Sequence, residues 1–223
     1  MKKFCIVMLV LAVAVCGFSA CGDKKPEKIK YIENVSHYET HAYRADTADY
    51  LVEISAGVKE KPFVADGKVG EPVEFQTVKI TPKKNAEATE LDFKVKYESG
   101  EFSGKAQKDK FGPGYTANID IGENVGKIES VSVAGGKEIP LENLLDGKIG
   151  WEDAFKVATE TLKDFIGANL DEKGKFKKEI CVKYLMNPYS GNGEYYWYVA
   201  FIGEGFDYTA ILVNPTDGKV VAK

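Results

Sequence analysis

The alternation of apolar and polar residues in the first two thirds of the chain is typical of β-strands. Five runs show it, at residues 50–54, 73–80, 91–97, 115–121 and 128–133. Such alternation turns one face of a strand to a core and the other to water. Turn-forming pairs such as Asp66-Gly67 and Ser99-Gly100 separate the runs. The pattern predicts an antiparallel, β-rich, sandwich-like domain over residues 31–138.

A helical period replaces the alternation after residue 139. Apolar residues recur every three or four positions between Trp151 and Ile166, which predicts a helix with one apolar face that ends near Gly167. Residues 140–145 could form one further helical turn. Strand-like runs follow at residues 176–185, 194–202, 206–213 and 219–222. One main helix followed by an antiparallel sheet predicts a small α+β domain over residues 139–223.

The amino terminus has the layout of a secretory signal. Lys2 and Lys3 precede an apolar run that is shorter than the roughly 20 residues a transmembrane helix needs. The stretch Phe18-Ser19-Ala20-Cys21 resembles the bacterial lipobox, with Phe18 where that family more often has Leu. The resemblance implies a signal peptide over residues 1–20, cleavage before Cys21 and acylation of Cys21. Polar residues 22–30 would then form a tether.

Acylation at Cys21 would decide where the protein works. Two or more acyl chains give stable anchoring, so we expect a lipoprotein on the extracytoplasmic side of a cell membrane or outer membrane. The alternative is a secreted protein in which Cys21 is incidental. Loss of residues 1–20 removes two lysines and lowers the net charge from −4 to −6. This acidic balance disfavours nucleic acid as a partner.

Cysteine usage fits the same interpretation. Cys5 and Cys16 leave with the signal peptide and Cys21 would carry lipid, so Cys181 alone remains. No intramolecular disulfide is then possible. Cys181 lies in an apolar, strand-like setting, where a lone cysteine is usually a small buried hydrophobe. A nucleophilic thiol would need a nearby activating cation and exposure to solvent.

The last third of the chain resembles a PepSY domain. The resemblance lies in three stretches, residues 149–158, 196–199 and 208–220, which hold a helix with an acid-acid-Ala step, aromatic-rich strands and a final hairpin. The hairpin departs from the family pattern, since Asn214 stands where Asp is usual and Asp217 intervenes between Thr216 and Gly218. The resemblance implies a small extracytoplasmic α+β module, proposed to inhibit or regulate peptidases at the cell envelope. It brings no catalytic or cofactor residue.

The residues of this hairpin also have a purely structural interpretation. Gly218 would supply a positive φ for a turn, and Asn214 and Asp217 would bond to their own backbone. The flanking aliphatic residues would pair across the hairpin.

Both histidines lie in the segment His37-Tyr38-Glu39-Thr40-His41. Its spacing is not that of the His-Glu-x-x-His metalloprotease signature. On a strand, His37, Glu39 and His41 would share a face, but the histidines would be about 13 Å apart, too far to bind one ion together. On a helix the histidines would adjoin while Glu39 pointed elsewhere. Solvated polar residues are the default interpretation, and no metal site is predicted.

The run Tyr195-Tyr196-Trp197-Tyr198 is unusually rich in aromatic residues. Alternation places Tyr195, Trp197, Val199 and Phe201 on one face, which would be core beneath the helix that begins at Trp151. Tyr196, Tyr198 and Ala200 lie on the other face. That second face could pack between domains, or Tyr196 and Tyr198 could contact a partner, because aromatic residues are enriched at protein and sugar contacts.

No motif for catalysis or cofactor binding accompanies these features. The chain has no Gly-x-Ser-x-Gly elbow, no phosphate-binding Gly-rich loop followed by Lys, and no Cys-x-x-Cys. We therefore expect a protein that acts by binding an envelope partner, such as a peptidase, without catalysis or cofactor. A solute- or glycan-binding protein that uses the β-rich domain is the alternative, and a hydrolase is a distant third.

Overall fold

The alternating runs form strands in the computed structural model, which describes residues 29–84, 86–119, 127–187 and 193–222. The strands of the N-terminal part are β1 Val35–Asp46, β2 Tyr50–Glu60, β3 Pro72–Pro82, β4 Glu90–Tyr97, β5 Gly100–Lys108, β6 Tyr115–Asn118, β7 Ile128–Val133, β8 Ile139–Pro140 and β9 Glu142–Asn143. All five predicted runs are confirmed as strands, although residues 120 and 121 of the fourth run lie outside the described ranges. Strands β1 and β5 are not among the predicted runs.

The C-terminal part holds the helices. Its elements are α1 Trp151–Thr161, α2 Lys163–Ala168, β10 Glu179–Met186, β11 Tyr195–Ile202, β12 Tyr208–Val213 and β13 Val220–Ala222. The single predicted helix is divided at Leu162, whose φ of −103° and ψ of 24° are not helical. Within the described ranges, neither helix is long and apolar enough to cross a bilayer.

The helical turn predicted for residues 140–145 is wrong. Residues there form β8 and β9, which pair with β7 and β1 respectively. The amide of Leu141 donates to the carbonyl of Glu129 at 2.9 Å, and the amide of Leu144 donates to the carbonyl of Ala42 at 2.9 Å. Hydrogen-bond partners on both neighbouring strands thus replace the bonds that one helical turn would make within itself.

Strand pairing, together with the short link from β8 to β9, brings the first nine strands round into a ring. The order is β1-β2-β3-β6-β5-β4-β7-β8, every neighbour is antiparallel, and β9 returns from β8 to β1. The pairing around the ring is uneven, since β6 pairs with only part of β3 and with only Gln107 and Lys108 of β5. The interior is filled by one apolar cluster, to which Tyr43, Ile54, Ile80, Val95 and Tyr115 belong. The ring is therefore a packed core.

Strand β1 belongs to both parts of the molecule. Its first residues, Val35 to Tyr38, pair in parallel with β10, and its later residues Tyr43 and Arg44 pair with β9. Strands β10 to β13 continue the sheet in antiparallel order. The result is a mostly β fold in which 13 strands form one mixed, largely antiparallel sheet with two short helices.

The predicted domain boundary lies between β7 and β8. These two strands are hydrogen-bonded neighbours, so the sheet shows no clear division into two domains at residue 138. Residues Tyr31–Lys223 form one compact unit. The sandwich-like arrangement of two sheets is also absent from the described strands, because all of them join one sheet.

A second core lies between the helices and one face of β10 to β12. Phe155 of α1 and the strand residues Trp197, Val199 and Phe201 are fully buried there. The indole nitrogen of Trp197 donates to the carbonyl of Ile149 at 3.0 Å. The prediction of a core beneath the helix is confirmed for Trp197, Val199 and Phe201. Tyr195, predicted on the same face, is half-buried and its hydroxyl donates to Glu53 at 2.7 Å.

Candidate functional site

The helices cover only one face of the C-terminal strands. We call the opposite face the open face. Cross-strand register defines its rows, since Lys183 pairs with Tyr198 and Tyr198 with Leu212, while Cys181 pairs with Ala200 and Ala200 with Ala210. Tyr208 and Leu185, at two margins of this face, have 63% and 43% of their surfaces exposed. The open face thus presents aromatic and aliphatic side chains to solvent.

The loop between β2 and β3 lies against the open face. A Cβ atom at Gly67, whose φ is +78°, would lie 2.9 Å from the carbonyl oxygen of Lys177, just before β10. The side chain of Phe63 in this loop is 57% exposed. Glu60, at the end of β2, holds the loop, because its carboxylate accepts hydrogen bonds from the amides of Val64 at 3.1 Å and Gly70 at 2.6 Å.

A cavity of about 240 Å³ lies between this loop and the open face. Its lining is largely apolar and aromatic and is formed by Phe63, Ala65, Cys181, Lys183, Tyr198, Ala200, Ile202 and Tyr208. Lys183 is the one charged residue of that lining. Burial raises the pKa of the Tyr198 phenol, with smaller contributions from Tyr208 and Cys181, so Tyr198 stays protonated at neutral pH.

Two carboxyl groups are buried beside the cavity. Glu60 is 4% exposed and Glu179 is fully buried. Neither carboxyl oxygen of Glu179 has a hydrogen-bond partner among the described residues. Burial raises the pKa of Glu179 to about 7; Glu60 and Asp66 add to the rise and the hydroxyl of Ser36 opposes it. Glu179 is therefore mostly uncharged below neutral pH. Its neighbour Glu60 is the residue that holds the loop.

Cys181 is a buried thiol, as the sequence predicts. It is 3% exposed, and its sulfur lies 3.6 Å from the hydroxyl of Ser36. Burial raises the pKa of the thiol, which disfavours the thiolate that a nucleophile needs. The arrangement is suited to packing rather than to covalent chemistry.

The tyrosines singled out in the sequence lie on the open face. Tyr196 is half-buried, and its hydroxyl donates to Glu194 at 2.8 Å. Tyr198 is also half-buried and lines the cavity. Cys21, the expected lipid attachment site, lies outside the described residues, so its acylation stays a prediction.

The two histidines lie on β1 but do not share a face. A bulge between Glu39 and His41 makes Glu39 pair with Gly57 and His41 with the adjacent residue Ala56. The extra residue Thr40 shifts the alternation by one position, so His41 faces the other way from His37 and Glu39. Within the described ranges, no group of three or more His, Cys, Asp or Glu residues could hold a metal ion.

Five of the eight lining residues were not singled out from the sequence, namely Phe63, Ala65, Lys183, Ile202 and Tyr208. The sequence carries a signal for Lys183, because this charged residue interrupts the apolar run from Ile180 to Met186. Phe63 has no such signal, since it lies in a loop without periodicity and meets the open face only after folding.

No protein-family model, curated protein or solved structure matches the chain. The geometry of the open face is therefore the basis for a functional proposal.

Proposed function

We propose that this protein is a cell-envelope lipoprotein, anchored through acylated Cys21, that binds a protein partner without catalysis. One observation carries the binding role: β10 to β12 have helices on one face only. The other face exposes Leu185 and Tyr208 beside Tyr196 and Tyr198. Exposed aromatic groups around a concavity are the features that concentrate binding energy at protein interfaces.

The kind of partner follows from the resemblance of the C-terminal third to PepSY domains. That resemblance implies restraint or regulation of an envelope peptidase. Its helix and aromatic strands correspond here to α1, β11 and β12, which build the open face and the core behind it. A peptidase, or another protein on the same side of the membrane, is the proposed partner.

The anchor holds the protein at the membrane in this proposal. Replacing Cys21 with Ser should release the protein from the membrane fraction, because no acyl chain can then be attached. Mass spectrometry of the wild-type protein should find the acyl modification on Cys21. A wild-type protein with an unmodified Cys21 would contradict the anchoring part of the proposal.

A capture experiment tests the role of the open face. The full-length lipoprotein is used to capture proteins from envelope extract, alongside the double variant Tyr196→Ser and Tyr198→Ser. We expect the double variant to retain the captured protein at least about tenfold less well, because two aromatic contacts are lost. Its Tm should fall by no more than about 4 °C, since both side chains are half-buried.

Tyr97→Ser is the matched control. Tyr97 is a half-buried tyrosine at the end of β4, in the ring. It should retain the partner as well as the wild type does. Equal retention by the double variant, or a large fall in its Tm, would show that Tyr196 and Tyr198 serve packing and would remove the open face as the binding surface.

A glycan-binding function is the second candidate, and one groove favours it. The groove, of about 480 Å³, lies on the outer surface of β4, β5 and β7 and is lined by Asp92, Phe93, Lys94, Ser103, Gly104, Lys105, Ser132 and Gly135. Its polar groups suit sugar hydroxyls. Phe93 is 3% exposed, however, so this lining offers no exposed ring on which a sugar could stack.

A thermal-shift screen with oligosaccharides tests this second candidate. A ligand of the folded state raises the apparent Tm by mass action. Lys94→Ala should abolish a shift that arises in the groove, whereas Lys163→Ala on α2 should leave it unchanged. A screen without any shift would reject the groove as a glycan site.

A further inference from the structure

We propose that the cavity beside Lys183 binds the carboxyl-terminal residue of a partner protein, with its apolar side chain in the cavity and its carboxylate on the Lys183 ammonium. This inference rests on the proposed function, because it assumes a protein ligand at the open face. It adds the chemistry by which that ligand is recognised.

The size of the cavity limits the ligand. Sites for drug-sized molecules enclose about 300–1,000 Å³, whereas this cavity encloses about 240 Å³. The space suits one side chain of a larger molecule. Apolar walls from Phe63, Ala200 and Ile202 favour an aromatic or branched aliphatic side chain.

The charge of the cavity selects the polar group of the ligand. Lys183 lies in the lining, and none of the ion pairs between described residues includes it. The phenols of Tyr198 and Tyr208 stand in the same lining as further hydrogen-bond donors. An ammonium and two hydroxyls beside an apolar space are complementary to a carboxylate joined to an apolar group.

A chain terminus combines these two groups on one residue. Its carboxylate and its side chain branch from the same Cα atom, so both fit a compact site. An internal acidic residue next to an apolar residue would instead place the two groups on different residues with different directions. The terminal residue is therefore the protein ligand that matches a small cavity with one cation.

The wall of the cavity is held in place before a ligand binds. Glu60 fixes the loop that carries Phe63 and Ala65 through its two hydrogen bonds to loop amides. The opposite wall is a strand within a continuous sheet. A fixed site loses little entropy on binding, which favours measurable affinity even for a short peptide.

The test uses a minimal peptide, N-acetyl-glycyl-phenylalanine, with a free carboxylate or as its terminal amide. Each is titrated into the isotopically labelled protein and amide NMR signals are followed at about pH 6, where Glu179 is mostly uncharged. We expect the acid to shift the signals of Cys181, Lys183 and Tyr198. The amide should bind about fivefold more weakly, the range of one partly exposed ion pair.

Variants assign the binding to the cavity. Lys183→Met should remove the preference for the acid over the amide, and Lys183→Gln should do the same if Met disturbs the fold. Lys163→Met, on the opposite side of the sheet, is the matched control and should keep the preference. Ala65→Leu should weaken both peptides because its longer side chain fills the cavity.

Several outcomes would overturn the proposal. They are equal binding of acid and amide to the wild type, a preference that survives loss of Lys183, signal shifts confined to another surface, or no binding at the highest soluble peptide concentration. If the peptides fail while partner capture still depends on Tyr196 and Tyr198, the open face remains the binding surface and only this mode of recognition is rejected.

Discussion

Glu179 shows how one residue can couple the pH of the surroundings to the stability of this fold. Its carboxyl group is fully buried without a hydrogen-bond partner among the described residues, and its pKa rises from an ordinary 4.5 to about 7. Between these two values the folded chain holds a proton that the unfolded chain releases. Stability from this residue therefore decreases as pH rises from 4.5 to about 7, and stays at its lower level above that.

Glu179→Gln should flatten this part of the pH profile, because the amide does not titrate. Between pH 4.5 and pH 7, the free energy of unfolding of the wild type should fall by up to about 3 kcal/mol more than that of the variant. Urea unfolding at a series of pH values measures the difference. The control Glu74→Gln, at an exposed position on β3, should keep the wild-type profile. A variant profile parallel to that of the wild type would contradict the assignment.

The sequence predicts the directions of side chains better than it predicts which residues they meet. Alternation placed Tyr196 and Tyr198 opposite Trp197, because successive residues of a strand point to opposite faces. It could not bring Lys183 and Phe63 to one cavity, because their shared place there depends on a loop that folds back across the sheet. The part of the candidate site that lies on β11 was therefore predictable, and the part built by β10 and the loop was not.

The elements that the sequence missed have weak or interrupted alternation. Strand β1 contains the bulge at Thr40, which shifts its apolar positions from one face to the other part-way along. Strand β5 buries only Ala106, because its other residues are at least partly exposed. Pairing with neighbouring strands stabilises β1 and β5 more than any apolar alternation of their own does. Periodicity in the sequence therefore does not reveal them.

Close pairing of β1 with β2 makes one glycine essential. A Cβ atom at Gly57 would lie 2.0 Å from the carbonyl oxygen of Tyr38 and 2.8 Å from the Cα atom of Glu39. Gly57→Ala should therefore lower the free energy of unfolding by roughly 3 kcal/mol or more, because backbone atoms must move apart. Chemical denaturation measures this loss.

Gly167→Ala provides the comparison for Gly57→Ala. Gly167 lies in α2, and a Cβ atom there would meet nothing within 4 Å. This change should leave stability unchanged or raise it by about 0.5–1 kcal/mol, since alanine favours a helix over glycine. Similar effects of the two substitutions would show that the β1–β2 contact is looser than the geometry indicates.

The continuous sheet predicts one cooperative unfolding transition for residues 31–223. Both tryptophans, Trp151 and Trp197, lie in the C-terminal part, so their fluorescence reports on that part alone. Val95→Ala in the ring shortens a fully buried side chain and should lower the free energy of unfolding by about 2 kcal/mol. Because β1 connects ring and C-terminal sheet, the fluorescence midpoint should fall with the circular dichroism midpoint, by about 4–8 °C.

Val221→Ala is the control for this experiment, because Val221 is 48% exposed at the edge of the sheet. It should leave both midpoints near those of the wild type. A fluorescence midpoint unchanged by Val95→Ala, or two separate transitions, would instead support independent domains over residues 31–138 and 139–223.

Strand order lies beyond what this sequence can predict. The mostly β character, the helical segment near residue 151 and the hairpin after Asn214 follow from local patterns. Gly218 has the expected positive φ of 70°, and the side chain of Asn214 accepts from the amide of Thr216 at 2.8 Å. The contact of Ser36 with Cys181, 145 positions away, has no local signature.

The parallel pairing of β1 with β10 has a consequence for how the chain is made. A ribosome releases β1 long before it reaches Glu179, so during that interval the first third of β1 carries an edge of unbonded amides and carbonyls. Such an edge attracts strands from other chains. Strand β10, in the last third of the chain, covers this edge only when synthesis is nearly complete. Chains that end before Glu179 should therefore be the forms most inclined to aggregate.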